Sequence, residues 1–214
     1  MRTPAVLATL DSWEPSAPRL TWYGAADERI DLSGRVLRNW VVKAANLLML
    51  DADTDADSVL LIDLPGHWRQ LVWCLAAWEL GVQPLLADGH SSSSQHDGVD
   101  IVLTSRPHHW GETATVVAIA LPALARSWES DLPAGAIDGA AELMGQGDEP
   151  AFTPSRGPVP EHRPARVLLT TDAPLDLPQQ AWQIWEHGGS IVLATSRDRQ
   201  QLAAIADQER ALAP

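Results

Sequence analysis

Residues 58–87 read SVLLIDLPGHWRQLVWCLAAWELGVQPLLA, and this stretch decides the fold of the chain. Its first part, Ser58–Asp63, is a short apolar run with branched residues, which is typical of a buried strand. The stretch continues with a turn, a helix and a second strand, over Leu64–Gly66, His67–Leu80 and Val82–Ala87. Together these elements predict a β-α-β unit with a right-handed crossover. The proline inside the second strand places that strand at an edge or an irregular position of the sheet.

Strands and helices continue to alternate in the rest of the chain. Further strands are predicted over Asp100–Thr104, Thr115–Ile119, Arg166–Thr171 and Ser190–Thr195, and helices over Asp31–Leu50, Asp176–His187 and Asp198–Leu212. This alternation predicts an α/β fold with an open, mostly parallel sheet flanked by helices on both faces. We expect residues 1–214 to form a single domain, in which 121–165 is a long irregular connection with one short helix around Gly139–Met144.

The composition limits the partners and the location. A formal net charge of −13 disfavours nucleic acids and anionic membranes, because both are negatively charged themselves. No apolar run approaches a membrane-spanning length, and the start of the chain is too weakly apolar for a signal peptide. The single cysteine, Cys74, can form no intrachain disulfide and lies in an apolar run, so we expect a core thiol. These features predict a cytoplasmic protein.

Polar residues follow most of the predicted strands. In open α/β sheets a ligand usually sits beyond the carboxyl ends of the strands, so these positions are candidates for a binding site. They are Asp63–Gly66, Asp88–His90, Thr104–Arg106, Thr171–Asp172 and Thr195–Arg197. Among them, Thr171 and Asp172 are our candidates for ligand contacts.

Motifs for metal or nucleophilic chemistry are weak. Asp51–Asp57 is similar to a calcium loop but lacks the required glycine and terminal glutamate, so we interpret it as a solvated loop. His90 and His96, with Asp88 and Asp97, lie around a serine run without fixed ligand spacing, and a metal there is the less favoured alternative. No G-x-S-x-G sequence is present, so no catalytic residue is assigned.

Three tryptophans, Trp68, Trp73 and Trp78, recur at five-residue spacing on the predicted helix. They therefore spread around the helix instead of forming one stripe. We interpret them as core residues. The alternative is contact with a second copy of the chain, because tryptophan favours interfaces, so a homo-oligomer stays open.

Several segments carry patterns that occur together in one enzyme superfamily. Leu20–Tyr23 is followed by a helix that ends with Ala44–Leu48, and then by Ser58–His67 and Trp73–Asp88. These segments, with the later strands from Ala165 and Gly188, resemble the N-terminal portion of the acyl- and aminoacyl-adenylating enzymes, the AMP-binding superfamily. The pattern also resembles a compact actinobacterial family related to these enzymes. The resemblance implies the fold of their N-terminal subdomain and, for an active member, ATP or AMP with magnesium.

The segment Ala151–Pro160, AFTPSRGPVP, lies where the resemblance implies a glycine-rich loop that grips ATP phosphates. A phosphate loop needs converging main-chain N–H groups, and the three prolines of this segment remove three of them. The segment has no lysine, and the single lysine of the chain, Lys43, lies in the first long predicted helix. We therefore interpret the segment as a connector. Its candidate ligand contacts are Thr153, Ser155, Arg156 and Gly157.

These observations predict a degenerate, non-catalytic relative of the adenylating enzymes that binds a small molecule or acts as a scaffold without a cofactor. The resemblance implies further machinery in a C-terminal lobe, which we expect to be missing from this chain. The alternative is an adenylate-forming enzyme that binds a nucleotide or an acyl group and takes that lobe from a partner chain.

Overall fold

The computed structural model describes residues 4–25, 28–111, 114–158, 161 and 163–213. Its strands are β1 (Pro18–Tyr23), β2 (Arg29–Ser33), β3 (Leu60–Asp63), β4 (Leu85–Ala87), β5 (Ile101–Thr104), β6 (Thr115–Ala118), β7 (Ile137–Asp138), β8 (Arg166–Thr170) and β9 (Ser190–Ala194). Its helices are α1 (Val6–Asp11), α2 (Gly34–Leu50), α3 (Trp68–Glu79), α4 (Ala141–Gly145), α5 (Leu177–Trp185) and α6 (Arg199–Glu209).

The strands form two sheets, whereas the sequence predicts one. Sheet A has the order β2-β1-β9-β8, and sheet B has the order β4-β3-β5-β6-β7. Every neighbouring pair is parallel except β1 and β2. The predicted α/β class with mostly parallel strands is confirmed, and β4 lies at an edge of its sheet.

Helix α3 explains why two sheets are needed. All twelve of its residues are buried. A helix that is buried on every side must be covered on every side. Helices α1, α2 and α5 pack beside α3, and the core that contains α3 includes side chains of both sheets. The central core accordingly joins side chains of both sheets, among them Leu20, Trp22, Ile191 and Leu193 of sheet A and Leu60, Ile62, Ile101 and Leu103 of sheet B.

The tryptophans of α3 are part of this core. Trp68, Trp73 and Trp78 are between 1% and 4% exposed. Their predicted role as core residues is confirmed, and their burial makes them unavailable for contact with a second copy of the chain. Cys74 is also fully buried, as predicted.

Each sheet has a second, outer face. On sheet A this face packs against α6 through a small cluster of Leu168, Val192, Ala194, Ile205 and Ala206. On sheet B it carries Leu61, Val102 and Val116 beneath the ring of Trp110. The order of layers is therefore α6, sheet A, the central helices, and sheet B.

Of two predicted helix starts, one needs correction and one is confirmed. Helix α2 begins at Gly34 instead of Asp31, because Arg29–Ser33 pairs with β1 as a strand and the side chain of Ser33 accepts the N–H of Val36 as a helix cap. At α6, the predicted start at Asp198 is confirmed, because the side chain of Asp198 accepts the N–H of Gln201 at 2.8 Å and caps the helix. The Gln201 side chain accepts a hydrogen bond from Ser196.

The long connection 121–165 contains two short elements in its described part, β7 and α4. The predicted short helix therefore exists and spans Ala141–Gly145. No helix among the described residues has the length and hydrophobicity that crossing a bilayer requires.

Candidate functional site

The carboxyl ends of strands from both sheets meet around one cleft of about 710 Å³. Four of the five predicted strand-end positions contribute to it. The remaining lining comes from the end of β1 and the turn after it, from the segment after β6, from His67 before α3 and from Pro174 after β8. This volume lies within the range of small-molecule sites. The lining residues are Trp22, Ala25, Glu28, Pro65, Gly66, His67, Asp88, His90, Leu121, Pro122, Thr171, Asp172, Pro174, Thr195 and Arg197.

The two sheets meet at the base of the cleft through Gly66. A Cβ atom on Gly66 would lie 2.5 Å from the carbonyl oxygen of Thr171, so only glycine allows the turn after β3 to approach the turn after β8 so closely. The buried amide of Gln70 ties the same two turns by donating to the carbonyls of Leu64 and Pro174. The turn predicted at Leu64–Gly66 is thus one of the joints between the sheets.

Asp63 shapes the adjoining wall. Its carboxylate is fully buried at the end of β3 and accepts the N–H groups of Gly89 and Ser91, at 2.9 and 3.2 Å. The hydroxyl of Thr104 donates to its other oxygen at 3.3 Å. Asp63 therefore fixes the loop after β4, and the predicted edge at Thr104 takes part indirectly, through this carboxylate.

His67 is the most deeply placed polar side chain of the cleft. It is 7% exposed, and its ring lies edge-on to Trp22 with 4.5 Å between ring centroids. Its Nδ1 accepts the N–H of Arg69, which caps the start of α3. Burial, together with the nearby Arg69 guanidinium, lowers the pKa of His67 to about 3. The ring is therefore neutral at pH 7, with its proton on Nε2.

Hydrogen bonds from Arg69 and to Glu28 hold the segment 121–123 beside the cleft. Glu28 accepts the indole N–H of Trp22 at 2.6 Å and the main-chain N–H of Ala123 at 3.0 Å. Arg69 donates to the carbonyls of Pro122 and Ala123, and its buried guanidinium lies near the faces of two tryptophan rings, those of Trp40 and Trp68. Burial lowers the pKa of Arg69 to about 10, so the group stays charged at pH 7.

The rim of the cleft carries most of its charge. Arg197 donates to Asp172 at 2.5 Å, which pairs the ends of β8 and β9. Asp88 accepts the N–H of His90 at 3.2 Å. With Glu28, the lining has three carboxylates and one guanidinium. This arrangement can hold a small organic molecule by aromatic contact and hydrogen bonds, and it repels ligands with several negative charges.

The proline-rich segment lies elsewhere, at the opposite end of α3. The buried carboxylate of Glu79, the last residue of α3, accepts the N–H and the hydroxyl of Ser155 at 2.7 and 2.9 Å. It also accepts the N–H of Leu7 at 2.9 Å. At 1.5 Å of rise per residue, Glu79 is about 18 Å along the helix from His67.

The structure therefore brings together only part of the predicted site. Thr171 and Asp172 line the cleft, whereas Thr153, Ser155, Arg156 and Gly157 are not among its lining residues. Thr153 and Arg156 are exposed, and Pro160 lies outside the described residues. Contact of any of these side chains with a ligand stays a prediction.

The histidines and aspartates considered as metal ligands have different surroundings. His96 contacts the hydroxyl of Ser91 and stacks on Trp110, whereas His90 and Asp88 line the cleft. Within the described ranges, no three His, Cys, Asp or Glu side chains are grouped so that they could hold a metal ion.

Sequence reasoning missed His67, Glu28 and Trp22. His67 carried a usable signal, because it follows a predicted strand end and starts a predicted helix, where side chains line a strand-end crevice. Glu28 carried no such signal, because it lies in the turn between β1 and the strand β2 that the sequence did not reveal.

The fold is similar to that of solved adenylating enzymes. An acyl-CoA synthetase from Brucella canis superposes with a TM-score of 0.74 at 15% identity, over 97% of this chain and 46% of that one. Acetoacetyl-CoA synthetase from Streptomyces lividans gives 0.70 at 14%, over 97% and 41%. The NpsA N-terminal subdomain from Klebsiella oxytoca, in complex with 3-hydroxybenzoyl-AMSN, gives 0.67 at 9%, over 98% and 58%. The chain thus spans less than half the length of the two synthetases.

No protein-family model matches the sequence. A TIGR03089 family protein from Mycobacterium tuberculosis is 31% identical over 179 residues, which cover 78% of this chain and 68% of that protein. The resemblance to the N-terminal portion of the adenylating enzymes and to an actinobacterial family is thereby confirmed. The chain belongs to the TIGR03089 family.

Proposed function

We propose that the protein is a small-molecule-binding member of the adenylate-forming fold that does not form adenylates by itself. The observation that carries this proposal is the cleft of about 710 Å³, which takes its lining from both sheets. The proline-rich segment, which would have to grip phosphates in an active enzyme, is held at the other end of α3.

The polar groups of that segment support the non-catalytic part of the proposal. The N–H and hydroxyl of Ser155 are already bonded to Glu79. Lys43, the single lysine, contacts the carbonyl of Gln146 and the carboxylate of Asp148. A triphosphate needs cations and free N–H groups, so we propose that the protein works without ATP, AMP or magnesium.

Calorimetry and thermal unfolding test the proposal. The purified chain is titrated with a library of small organic molecules and with ATP, AMP and acyl-CoA, with and without magnesium. A cleft ligand should raise the melting temperature by linkage. The Thr195→Trp variant, which fills the cleft, should lose the effect, and Thr153→Trp on the exposed segment should keep it. Pyrophosphate release that depends on ATP would contradict the non-catalytic reading, and an unchanged melting temperature with every compound would contradict binding.

A second candidate is an adenylate-forming enzyme that works with a partner lobe. It is favoured by the NpsA N-terminal subdomain, which covers 98% of this chain and is in complex with 3-hydroxybenzoyl-AMSN. This candidate predicts that the same compound raises the melting temperature of this protein, and that Thr195→Trp abolishes the rise.

The proposal includes a cytoplasmic location and self-association into a homodimer. Size-exclusion chromatography with light scattering measures the mass of the protein in solution and so tests the homodimer. A mass of twice the 23.2 kDa chain supports the dimer, and a mass of one chain contradicts it.

A further inference from the structure

The start of α3 combines two features of a ligand subsite. The first N–H groups of a helix have no partner within the helix, and they point back along its axis. The turn Pro65–His67, which directly precedes these groups in the chain, lines the cleft. Of these groups, the N–H of Arg69 is taken by Nδ1 of His67, and for those of Trp68 and Gln70 no acceptor is found in the described part of the chain.

The second feature is the free edge of the His67 ring. The residue is 7% exposed, and its Nε2 has no hydrogen-bond partner among the described residues. Among the described residues, Nε2 is not one of the enclosed side-chain atoms that lack a partner, and the space that His67 lines is the cleft. We therefore place Nε2 at the cleft. Because Nδ1 accepts a hydrogen bond, Nε2 carries the proton and is a donor.

We propose that the start of α3 and Nε2 of His67 form a subsite for a singly charged oxyanion, a carboxylate or a phosphate diester of a small molecule. Helix N-termini favour such groups through their free N–H donors and the positive end of the helix dipole. The inference rests on the proposed binding function of the cleft and names the chemistry of its ligand.

The rest of the lining sets the charge of this ligand. Asp172 is paired with Arg197, and Glu28 receives two N–H donors, whereas Asp88 receives one. The lining of the cleft contains these three carboxylates and no lysine, so each additional negative charge on the ligand is repelled. One negative charge can be held by the donors at the base of the cleft, and a triphosphate cannot.

The test follows the ring nitrogens of the protein labelled with ¹⁵N-histidine. Sodium acetate and sodium benzoate probe the carboxylate, sodium dimethyl phosphate probes the singly charged phosphate diester, and sodium chloride at equal ionic strength is the control. A saturable shift of the His67 Nε2 signal with either class of probe supports the subsite and identifies the class. Shifts that sodium chloride reproduces, or no shift at high probe concentration, overturn it.

Three variants make the result specific. His67→Asn retains an oxygen that can cap α3 and should weaken probe binding at least tenfold, whereas His108→Asn, the same change at an exposed histidine outside the cleft lining, should leave binding within twofold. Asp88→Asn should strengthen binding, because it removes a nearby negative charge. Equal loss in the two histidine variants, or weaker binding in Asp88→Asn, overturns the subsite. A library ligand that binds the cleft of His67→Asn as tightly as the wild type overturns the subsite but leaves the proposed function standing.

Discussion

Glu209 is a carboxylate surrounded by donors at the end of α6. It accepts hydrogen bonds from the Tyr23 hydroxyl at 2.5 Å, from Arg29 at 2.8 Å and from Arg166 at 2.6 Å. Burial alone would raise the pKa of this carboxyl, but the three donors outweigh burial and lower the pKa to about 2. The charged form therefore ties α6 to sheet A.

Replacing this carboxylate should destabilise the fold at pH 7. We expect Glu209→Gln to reduce the free energy of unfolding by about 2 kcal/mol, because two guanidinium groups lose their partner. Because the native pKa is depressed, the contribution is present above the ordinary pKa of 4.5 and is lost as the pH falls toward 2. Urea unfolding at several pH values measures it. The exposed Glu161, which pairs with Arg163, is the control, and Glu161→Gln should have no measurable effect.

His67 should make the protein less stable in acid. Its native pKa of about 3 lies below the ordinary value of 6.5. At a pH between these two values, His67 is protonated in the unfolded chain and neutral in the native protein. Stability therefore falls as the pH drops below 6.5, by about 2 kcal/mol between pH 6.5 and 5. Urea unfolding of wild type and His67→Asn at pH 7.5 and 5 should show this loss in the wild type only. The same pH dependence in both proteins would contradict the buried neutral ring.

At the scale of elements, the joint between the turns after β3 and β8 has no room for a side chain. We expect Gly66→Ala to reduce the free energy of unfolding by about 2 kcal/mol or more, because its Cβ would collide with the main chain of Thr171. Gly145→Ala is the matched control, since a Cβ there meets nothing within 4 Å. Equal stability of the two variants would show that the sheets can separate without cost.

The hydrogen bonds from Ser155 to Glu79, at the end of α3, should protect the proline-rich segment from proteases. Glu79→Gln weakens the bonds to Ser155 and Leu7, so the segment should detach more often. Trypsin should then cut after the exposed Arg156 several times faster than in the wild type, as mass spectrometry of the fragments measures. Glu142→Gln, on the exposed surface of α4, should not change the rate. Unchanged cutting in Glu79→Gln would show that Glu79 does not hold the segment.

Elements with strong local patterns could be predicted from the sequence, and pairings between distant segments could not. The β-α-β unit at 58–87 has apolar periodicity and a closing glycine within one continuous stretch. The strand β2 has no such pattern, because it is held by pairing with β1, and its residues run directly into an apolar helix. For the same reason four strand-end positions of the site were predictable, but their convergence in one cleft depends on the joint at Gly66.

For the whole molecule, the two-sheet arrangement predicts a protected thiol. Cys74 lies in the fully buried helix α3, and burial raises the pKa of its thiol. We expect a thiol reagent such as DTNB to react with the native protein only as fast as the molecule unfolds globally. In denaturant the single cysteine should react at once. Rapid, stoichiometric labelling of the native protein would mean that the layers open locally.

The rigid length of α3 has a consequence for any chemistry that needs both of its ends. The cleft and Ser155 lie at opposite ends of α3, a helix whose residues are all buried. For Ser155 to contact a molecule in the cleft, the buried carboxylate of Glu79 would have to lose two of its three hydrogen-bond donors and keep only the N–H of Leu7. The fold therefore keeps the cleft and the proline-rich segment apart, so one ligand in the cleft cannot contact both.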